Sequence, residues 1–508
     1  MKLKIKKLKF TTGRPVCIIH EKTAKEMGWA VGGRILITTK KKKLISIVDT
    51  SNKIINKNQI IVSEIIYKKL NLKSNQKVEI TPAEKPRSIE LIKKKLKGKK
   101  LTEKEIKEII NNIANNSLTE IEVAFFVSAI HDEGMDMDET KALTQAMVNS
   151  GKQLRLSGKV ADKHCIGGVA GNRTTPIVIS ICAAAGLIIP KTSSRAITSA
   201  AGTADTMETI ARVDFSIKEI KNIIKKTNAC LVLGGALGLA PVDDQIIKIE
   251  RVVNLDSTAQ LLASILSKKI SVGSKYILID IPYGKSAKVT KQEARELKRK
   301  FIALSKKFNL KLDVLLTDGS EPIGNGVGPA LEMQDIIRVL GNVNPPKDLK
   351  EKSILLSGNL LELTGKTKKG NGIKLAKEIL DSGKAFKKFN QIIKAQKGDL
   401  KLLEKIKPKY THDIIAKNKI KIKHIDNKLI NQLARMAGSP ENKAAGIYFH
   451  KKKNQIVKKN ESILTIHSTS KEKLEVKTKR AKSVKVLLAE DNLINQRLAV
   501  GFMKINGW

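Results

Sequence analysis

Between residues 160 and 345 the chain alternates short apolar runs with polar, glycine-containing stretches, and no other feature limits its possible folds so tightly. PIVISICAA, ACLVLGG, KYILIDIP and LDVLLTD read as strands separated by segments long enough for helices. Such alternation predicts a sheet with crossover helices, whose functional loops gather at the strand ends. The flanks follow different rules. Residues 1–84 read as short alternating strands, starting with MKLKIKKLKF and turning at Thr12-Gly13-Arg14-Pro15 and Gly32-Gly33, which predicts a small β-barrel. From Arg87 apolar residues recur three and four apart, the period of packed helices. Two helix starts are marked by a hydroxyl followed by glutamate, one at Thr102 and one at Ser117 or Thr119. The expected whole is an α/β multidomain chain: an N-terminal small β-barrel (1–84), a helical bundle domain (85–160), a central α/β domain with crossover helices (161–345), a helical remainder of that core (346–420) and a C-terminal small β-rich domain (421–482).

A chain of 508 residues with 41% hydrophobic composition can bury several cores. The formal charge of +47, from 96 Lys+Arg against 49 Asp+Glu, raises the question of a nucleic-acid partner. The lysines are diffuse, however, and only 3% of residues are aromatic, so stacking platforms are scarce and no specific nucleic-acid role is expected. Cys17, Cys165, Cys182 and Cys230 form no C-x-x-C pair and have no histidine at ligand spacing, so reduced thiols are expected, with no metal site. The amino-terminal strand pattern lacks a signal peptide's apolar core, and the longest apolar stretch, TTPIVISICAAAGLIIP, is interrupted by proline and hydroxyls. These features predict a soluble, cytoplasmic protein without a membrane partner.

Two loops stand out against this lysine-rich background. ADKHCIGGVAGNRTTP, residues 161–176, offers backbone amides at Gly167 and Gly168, a point charge at Lys163 and hydroxyls at Thr174 and Thr175, a plausible cradle for phosphate. SSRAITSAAGTADTME, residues 193–208, has six hydroxyls and no lysine. Ser193, Ser194, Arg195, Thr198, Ser199 and Thr203 are all able to donate to phosphate or ribose oxygens. Neither loop has the spacing of a nucleotide-triphosphatase or dinucleotide-binding loop. Taken together, each next to a strand-like run, they imply a substrate that carries phosphate.

KHCIGGVAGN, SSRAITSAAGTADTME, LGLAPVDD, LDSTAQLLASILSKK and TDGSEPIGNGVGPALE resemble, in order and spacing, the thymidine and pyrimidine nucleoside phosphorylase family over roughly residues 88–480. Two departures from its pyrimidine-specific members matter. Those members carry an arginine that touches the pyrimidine ring where this chain has Ile249, and a glycine turn followed by an aromatic where this chain has YGKSAKV with Lys288. A basic side chain there suits an extra phosphate on the substrate. The amino-terminal barrel and the SRAITS variant resemble the archaeal-type branch that acts on nucleoside monophosphates.

That resemblance implies a glycosyltransferase in which AMP, or CMP or UMP, reacts with phosphate to free base and ribose 1,5-bisphosphate. Inorganic phosphate would be a co-substrate, with no cofactor and no metal, and the chain would form a homo-oligomer. The alternative is a pyrimidine or thymidine nucleoside phosphorylase acting on unphosphorylated nucleosides. Carried over by position, the substrate-binding residues would be Gly168, Ser194, Arg195, Ala196, Ile197, Thr198, Ser199, Thr203, Ser264 and Lys288, with Lys163 on phosphate and Asp256 as proton donor. Read alone, Asp256 is an ordinary helix cap, His164 is equally a structural histidine, and Cys165 stands where relatives often place serine. The last segment, 483–508, resembles the first strand and helix of a receiver domain, with Glu490 and Asp491 as its acidic pair, but lacks the later strand that carries the phosphate-accepting aspartate.

Overall fold

The computed structural model describes residues 1–12, 14–196, 199–235, 238–253, 255 and 257–473. Two compact units result: one holds 1–150 and 241–264, the other 151–240 and 265 onward. The segment 483–508 with Glu490 and Asp491 lies outside the described residues, as do Ile197, Thr198 and Asp256.

In the first unit the strands β1 (Lys2–Lys6), β2 (Val16–His20), β3 (Arg34–Thr38), β4 (Lys43–Ser51), β5 (Gln59–Val62) and β6 (Lys77–Pro82) close into a barrel in the order β1-β5-β2-β4-β3-β6. Alternation drives the closure, since Leu3, Ile5, Ile35, Ile37, Val78 and Ile80 all point inward and are buried. The bundle follows with helices Ser88–Leu96, Glu103–Ala114, Glu120–Glu133 and Met137–Ser150. Reciprocal capping boxes join Thr102 to Glu105 and Thr119 to Glu122, which decides between the two candidate starts in favour of Thr119. Arg34 of the barrel donates from Nε to the Ser117 carbonyl at 2.9 Å and pairs with Glu122.

Residues 241–264, assigned to the α/β part by sequence, belong to this helical unit instead. Val242, Ile246 and Ile249 of helix Pro241–Val253 form a stripe at helical spacing, and it completes the core of Ile106, Ile109, Phe126 and Leu143. Nothing local in the sequence says which core that stripe will join.

In the second unit, strands β7 (Ala161–Cys165), β10 (Tyr276–Tyr283) and β11 (Lys311–Asp318) form a parallel sheet in the order β11-β10-β7, and β8 (Ile189–Ser193) runs parallel to β9 (Ala229–Leu233). A parallel bridge between Val160 and Ile188 links the two pieces. The crossover architecture expected from the sequence is therefore present, and the carboxyl ends of the strands share one edge.

One run was misread: PIVISICAA lies in the helix Thr174–Ala184, not in a strand. Residues 174–183 of that helix are all buried, so it has no polar stripe to reveal a helical period, and its β-branched residues mimic a strand. The C-terminal part pairs strands Tyr410–Ile415, Gly446–Phe449 and Ser462–Ser468 with Gly326–Val327 in a four-stranded sheet. Against it packs a helix the sequence reading did not foresee, Asn427–Ala437, burying Ile430, Leu433, Ala434 and Ala437. Among the described residues no helix is long and apolar enough to cross a membrane.

Candidate active site

Lys163 lies on β7, directly before the glycine loop, and its side chain is fully buried. Its ammonium donates to the Thr174 hydroxyl at 2.7 Å, joining the end of β7 to the first turn of helix Thr174–Ala184. Burial holds that ammonium below its ordinary pKa. A strand places successive side chains on opposite faces, so Lys163 and Cys165 share one face and Asp162 and His164 the other.

Each face carries its own charge cluster. On the Lys163 side, Asp280 of β10 accepts from the Thr317 hydroxyl at 2.6 Å and pairs with Lys352 at 3.2 Å. Burial opposes the charge on Asp280, but Lys352 and Lys163 outweigh it and keep the carboxyl below its usual range. On the opposite face Asp162 pairs with Lys191 at 3.1 Å and Lys269 at 2.6 Å. Four buried lysines thus meet two buried aspartates beside the phosphate-cradle loop, and burial holds two of the lysines, Lys163 and Lys269, below their ordinary pKa, Lys269 at about 7. His164 is half-buried beside Lys269, Lys191 and Lys163; burial and these charges hold its imidazole well below its ordinary pKa, so it is neutral at pH 7. The sequence signal for this layer is the lone Asp280 in the apolar YILIDIPY, since a charge in a buried strand requires partners.

Gly168 and Lys288 are brought together. Gly168 has φ +90°, and a Cβ there would lie 2.6 Å from the backbone nitrogen of Lys288, so only glycine lets the cradle loop lie against the turn after β10. The hydroxyl-rich loop, which follows β8, folds back on itself with the same economy. A Cβ on Gly202 would come within 2.6 Å of the Ser194 carbonyl oxygen, and the Asp205 carboxylate accepts from both Ala196 N at 2.7 Å and Gly202 N at 2.8 Å.

Within this loop the predicted residues divide by role. Arg195 is engaged by Glu208 through two hydrogen bonds of 2.6 Å and by Asp205 at 3.2 Å, so its guanidinium braces the loop. The Ala196 amide is held by Asp205, and the Ser199 hydroxyl donates to the Ala201 carbonyl at 2.7 Å. Ser194 is exposed. Thr203, 8% exposed, accepts from Arg173 at 3.2 Å, and a hydroxyl that accepts keeps its own O–H for donation.

Arg173 was missed by sequence reasoning. It pairs with the buried Glu332 at 2.6 Å and donates to the Ala201 carbonyl at 2.5 Å, tying the cradle loop to the hydroxyl loop. Its only sequence signal is its place between the glycines and Thr174-Thr175.

Ser264 lies in helix Thr258–Ser271, in the stretch that belongs to the first unit. The Ser257 hydroxyl accepts from Gln260 N at 3.1 Å and so caps this helix. The capping role that was the plain alternative for Asp256 is therefore filled by its neighbour. Ile249 is buried in the helical core as an apolar packing residue.

Cys165 is half-buried, and burial pushes its thiol up to about 11, so it remains S–H and accepts from Asn172 Nδ2 at 3.4 Å. A thiol is a weak donor. Cys165→Ser is expected to lower the KM for phosphate by about 2- to 10-fold, the worth of one ordinary hydrogen bond. Steady-state kinetics at saturating nucleotide measure this directly, and an unchanged KM would mean that position 165 does not reach the anion.

Residues 89–151 match the glycosyl transferase family helical bundle domain, 157–386 the glycosyl transferase family a/b domain, and 421–486 the pyrimidine nucleoside phosphorylase C-terminal domain. The AMP phosphorylase of Thermococcus kodakarensis is 44% identical over 94% of this chain and 95% of its own length. That of Methanocaldococcus jannaschii is 41% identical over 94% and 96%. AMP phosphorylase 1 of Archaeoglobus fulgidus is 39% identical over 94% and 95%. Among solved structures, anthranilate phosphoribosyltransferase from Thermus thermophilus matches 60% of this chain and 99% of its own with a TM-score of 0.52 at 18% identity, a likeness of fold alone.

Proposed function

Because the chain belongs to the glycosyl transferase family that includes the AMP phosphorylases, we propose that it cleaves AMP with inorganic phosphate, yielding adenine and ribose 1,5-bisphosphate, and that CMP and UMP are also accepted. It is thus a pentosyltransferase. The observation that carries this reading is the cluster of buried lysines beside two glycine- and hydroxyl-lined loops at one edge of a parallel sheet.

Breaking the glycosidic bond sends electrons onto the base while the sugar C1′ becomes cation-like. The enzyme must therefore neutralise the leaving base and hold the incoming phosphate against C1′. Lys163, the amides of Gly167 and Gly168, and the Thr203 O–H hold anionic oxygens in this scheme, with Lys288 on the substrate's own phosphate. Ser194 and Ser264 add hydroxyls for the nucleotide, and Arg195 and Ala196 act by keeping their loop in shape. Asp256, protonated, donates to the purine N7, which requires a carboxyl pKa raised by burial or by a nearby negative charge. Phosphate is a co-substrate, and the scheme uses no other cofactor.

We further propose a cytoplasmic homo-oligomer, with the amino-terminal barrel taking part in assembly. The four free cysteines suit a reducing compartment, and Ile121 and Phe125, exposed one turn apart on helix Glu120–Glu133, offer apolar surface for association.

The test is to incubate the protein with phosphate and AMP, CMP, UMP, adenosine or thymidine and to measure released base. Release from the monophosphates is expected, with little or none from the nucleosides. Release from adenosine or thymidine but not from AMP would overturn the assignment in favour of a nucleoside phosphorylase.

A further inference from the structure

The helix Asn427–Ala437 carries two asparagines one turn apart, Asn427 and Asn431, and both are buried, at 0% and 6% exposure. Asparagine is a poor helix former, and a buried amide is costly unless its donors and acceptor are paired. Here the pairing runs outward, to the loops of the site. Asn427 Oδ1 accepts from Ala170 N at 2.9 Å in the cradle loop after β7. Its Nδ2 donates to the Gly319 carbonyl at 2.9 Å, after β11, and to the Ser286 hydroxyl at 3.0 Å, in the turn after β10 that also carries Lys288. Asn431 Oδ1 accepts from Ala200 N at 2.9 Å in the hydroxyl loop after β8.

One helix of the C-terminal part thus hydrogen-bonds to the loops that follow four parallel strands. Its apolar residues pack with Ala170, Ala200 and Val327 in a single core, so the helix cannot shift without moving those loops. Asp426 caps the helix start, accepting from Lys428 N at 2.7 Å and Leu429 N at 3.0 Å, while Glu321 accepts from Ile425 N at 2.7 Å just before it. The start of the helix is thus fixed by its own cap at Asp426 and, through Glu321, by the same loop after β11 that Asn427 holds at Gly319.

We propose that Asn427 and Asn431 are positioning residues for phosphorolysis, through which the C-terminal part sets the spacing of the phosphate- and nucleotide-holding loops. The proposal rests on the phosphorolytic reading given above. It makes an asymmetric demand on substitution. Asn431 serves its loop through an acceptor, which aspartate retains. Asn427 uses an acceptor and two donors, and aspartate retains only the first while setting a carboxylate oxygen against the Gly319 carbonyl.

In the full-length protein, Asn431→Leu and Asn427→Leu are expected to raise the KM values for phosphate and AMP by roughly 5- to 100-fold, the cost of freeing a buried amide, with a smaller change in kcat. Asn431→Asp is expected to recover most of that loss, and Asn427→Asp is not. KM is read on the folded fraction, so partial unfolding does not mask the result, and inorganic phosphate titrated in a calorimeter gives the same comparison without turnover. Unchanged KM values and phosphate affinity in the leucine variants would overturn the proposal. So would loss of active protein with KM unmoved, or Asn427→Asp behaving like the unmutated chain. Failure of the unmutated protein to release base from AMP would instead remove the functional reading, and the phosphate titration would still test the loops.

Discussion

Lys163→Met should lower kcat/KM for phosphorolysis by about 10²–10³-fold, the usual cost of removing one preorganised charge-stabilising donor, while leaving the protein as stable as before or more so. The two halves of this expectation have one cause. The Lys163 ammonium is fully buried, and its hydrogen-bond partner is the neutral Thr174 hydroxyl. Burial lowers its pKa, so the unfolded chain binds this proton more readily than the folded one does. Stability then rises with pH from the lowered folded value up to the ordinary lysine value, and at pH 7 the group costs stability. Methionine removes that cost along with the charge, and the buried Asp280 keeps its direct partner Lys352 at 3.2 Å. Phosphate supplies the missing anion. It should therefore raise the melting temperature of the unmutated protein, by about 2.7 kcal/mol of stability at roughly 100 times its Kd, and do so far less in the variant. Thermal melts with and without phosphate, together with kinetics, measure both. A variant that kept kcat/KM within a few-fold, or that still gained full stabilisation from phosphate, would remove Lys163 from the anion site.

Asp256→Asn should lower kcat by about 10²–10⁴-fold with little change in either KM, because the amide matches the shape of a protonated carboxyl but cannot give up its proton. The loss should shrink for substrates whose base leaves readily without protonation. Asp256→Ala separates the proton-donor reading from the capping one. A capping aspartate replaced by alanine costs about 1 kcal/mol of stability and leaves kcat alone. A general acid loses kcat and leaves the melting temperature nearly unmoved. The second pattern is expected, because the Ser257 hydroxyl already holds Gln260 N at 3.1 Å in the first turn of that helix. Full activity in Asp256→Asn would leave the reaction without its proposed acid.

What was legible in the sequence was short in range. The alternation of the first 84 residues predicts a barrel because inward and outward positions differ by one residue, and the structure closes that barrel through Leu3, Ile5, Ile35 and Ile37. Thr102 and Thr119 announce helices because a capping hydroxyl and its glutamate lie three residues apart. The loop 193–208 stands out by composition alone, since hydroxyls there displace the lysine found elsewhere, and the loop 161–176 by its adjacent glycines at Gly167 and Gly168.

What only the tertiary structure decided is which partner takes each group. Arg195 reads as a hook for ligand until Glu208 and Asp205 are found holding it. Arg173 reads as an ordinary basic residue until it bridges Glu332, Thr203 and Ala201. The helix Thr174–Ala184 reads as a strand because it is enclosed on all sides, and Asn427 and Asn431 read as nothing at all until Ala170 and Ala200 come within 2.9 Å. The division has a physical reason. Periodicity and capping are settled by neighbours within a turn of the chain, whereas a buried donor is satisfied by whatever the folded chain brings within hydrogen-bond reach, often more than two hundred residues away, as Asn427 is from Ala170.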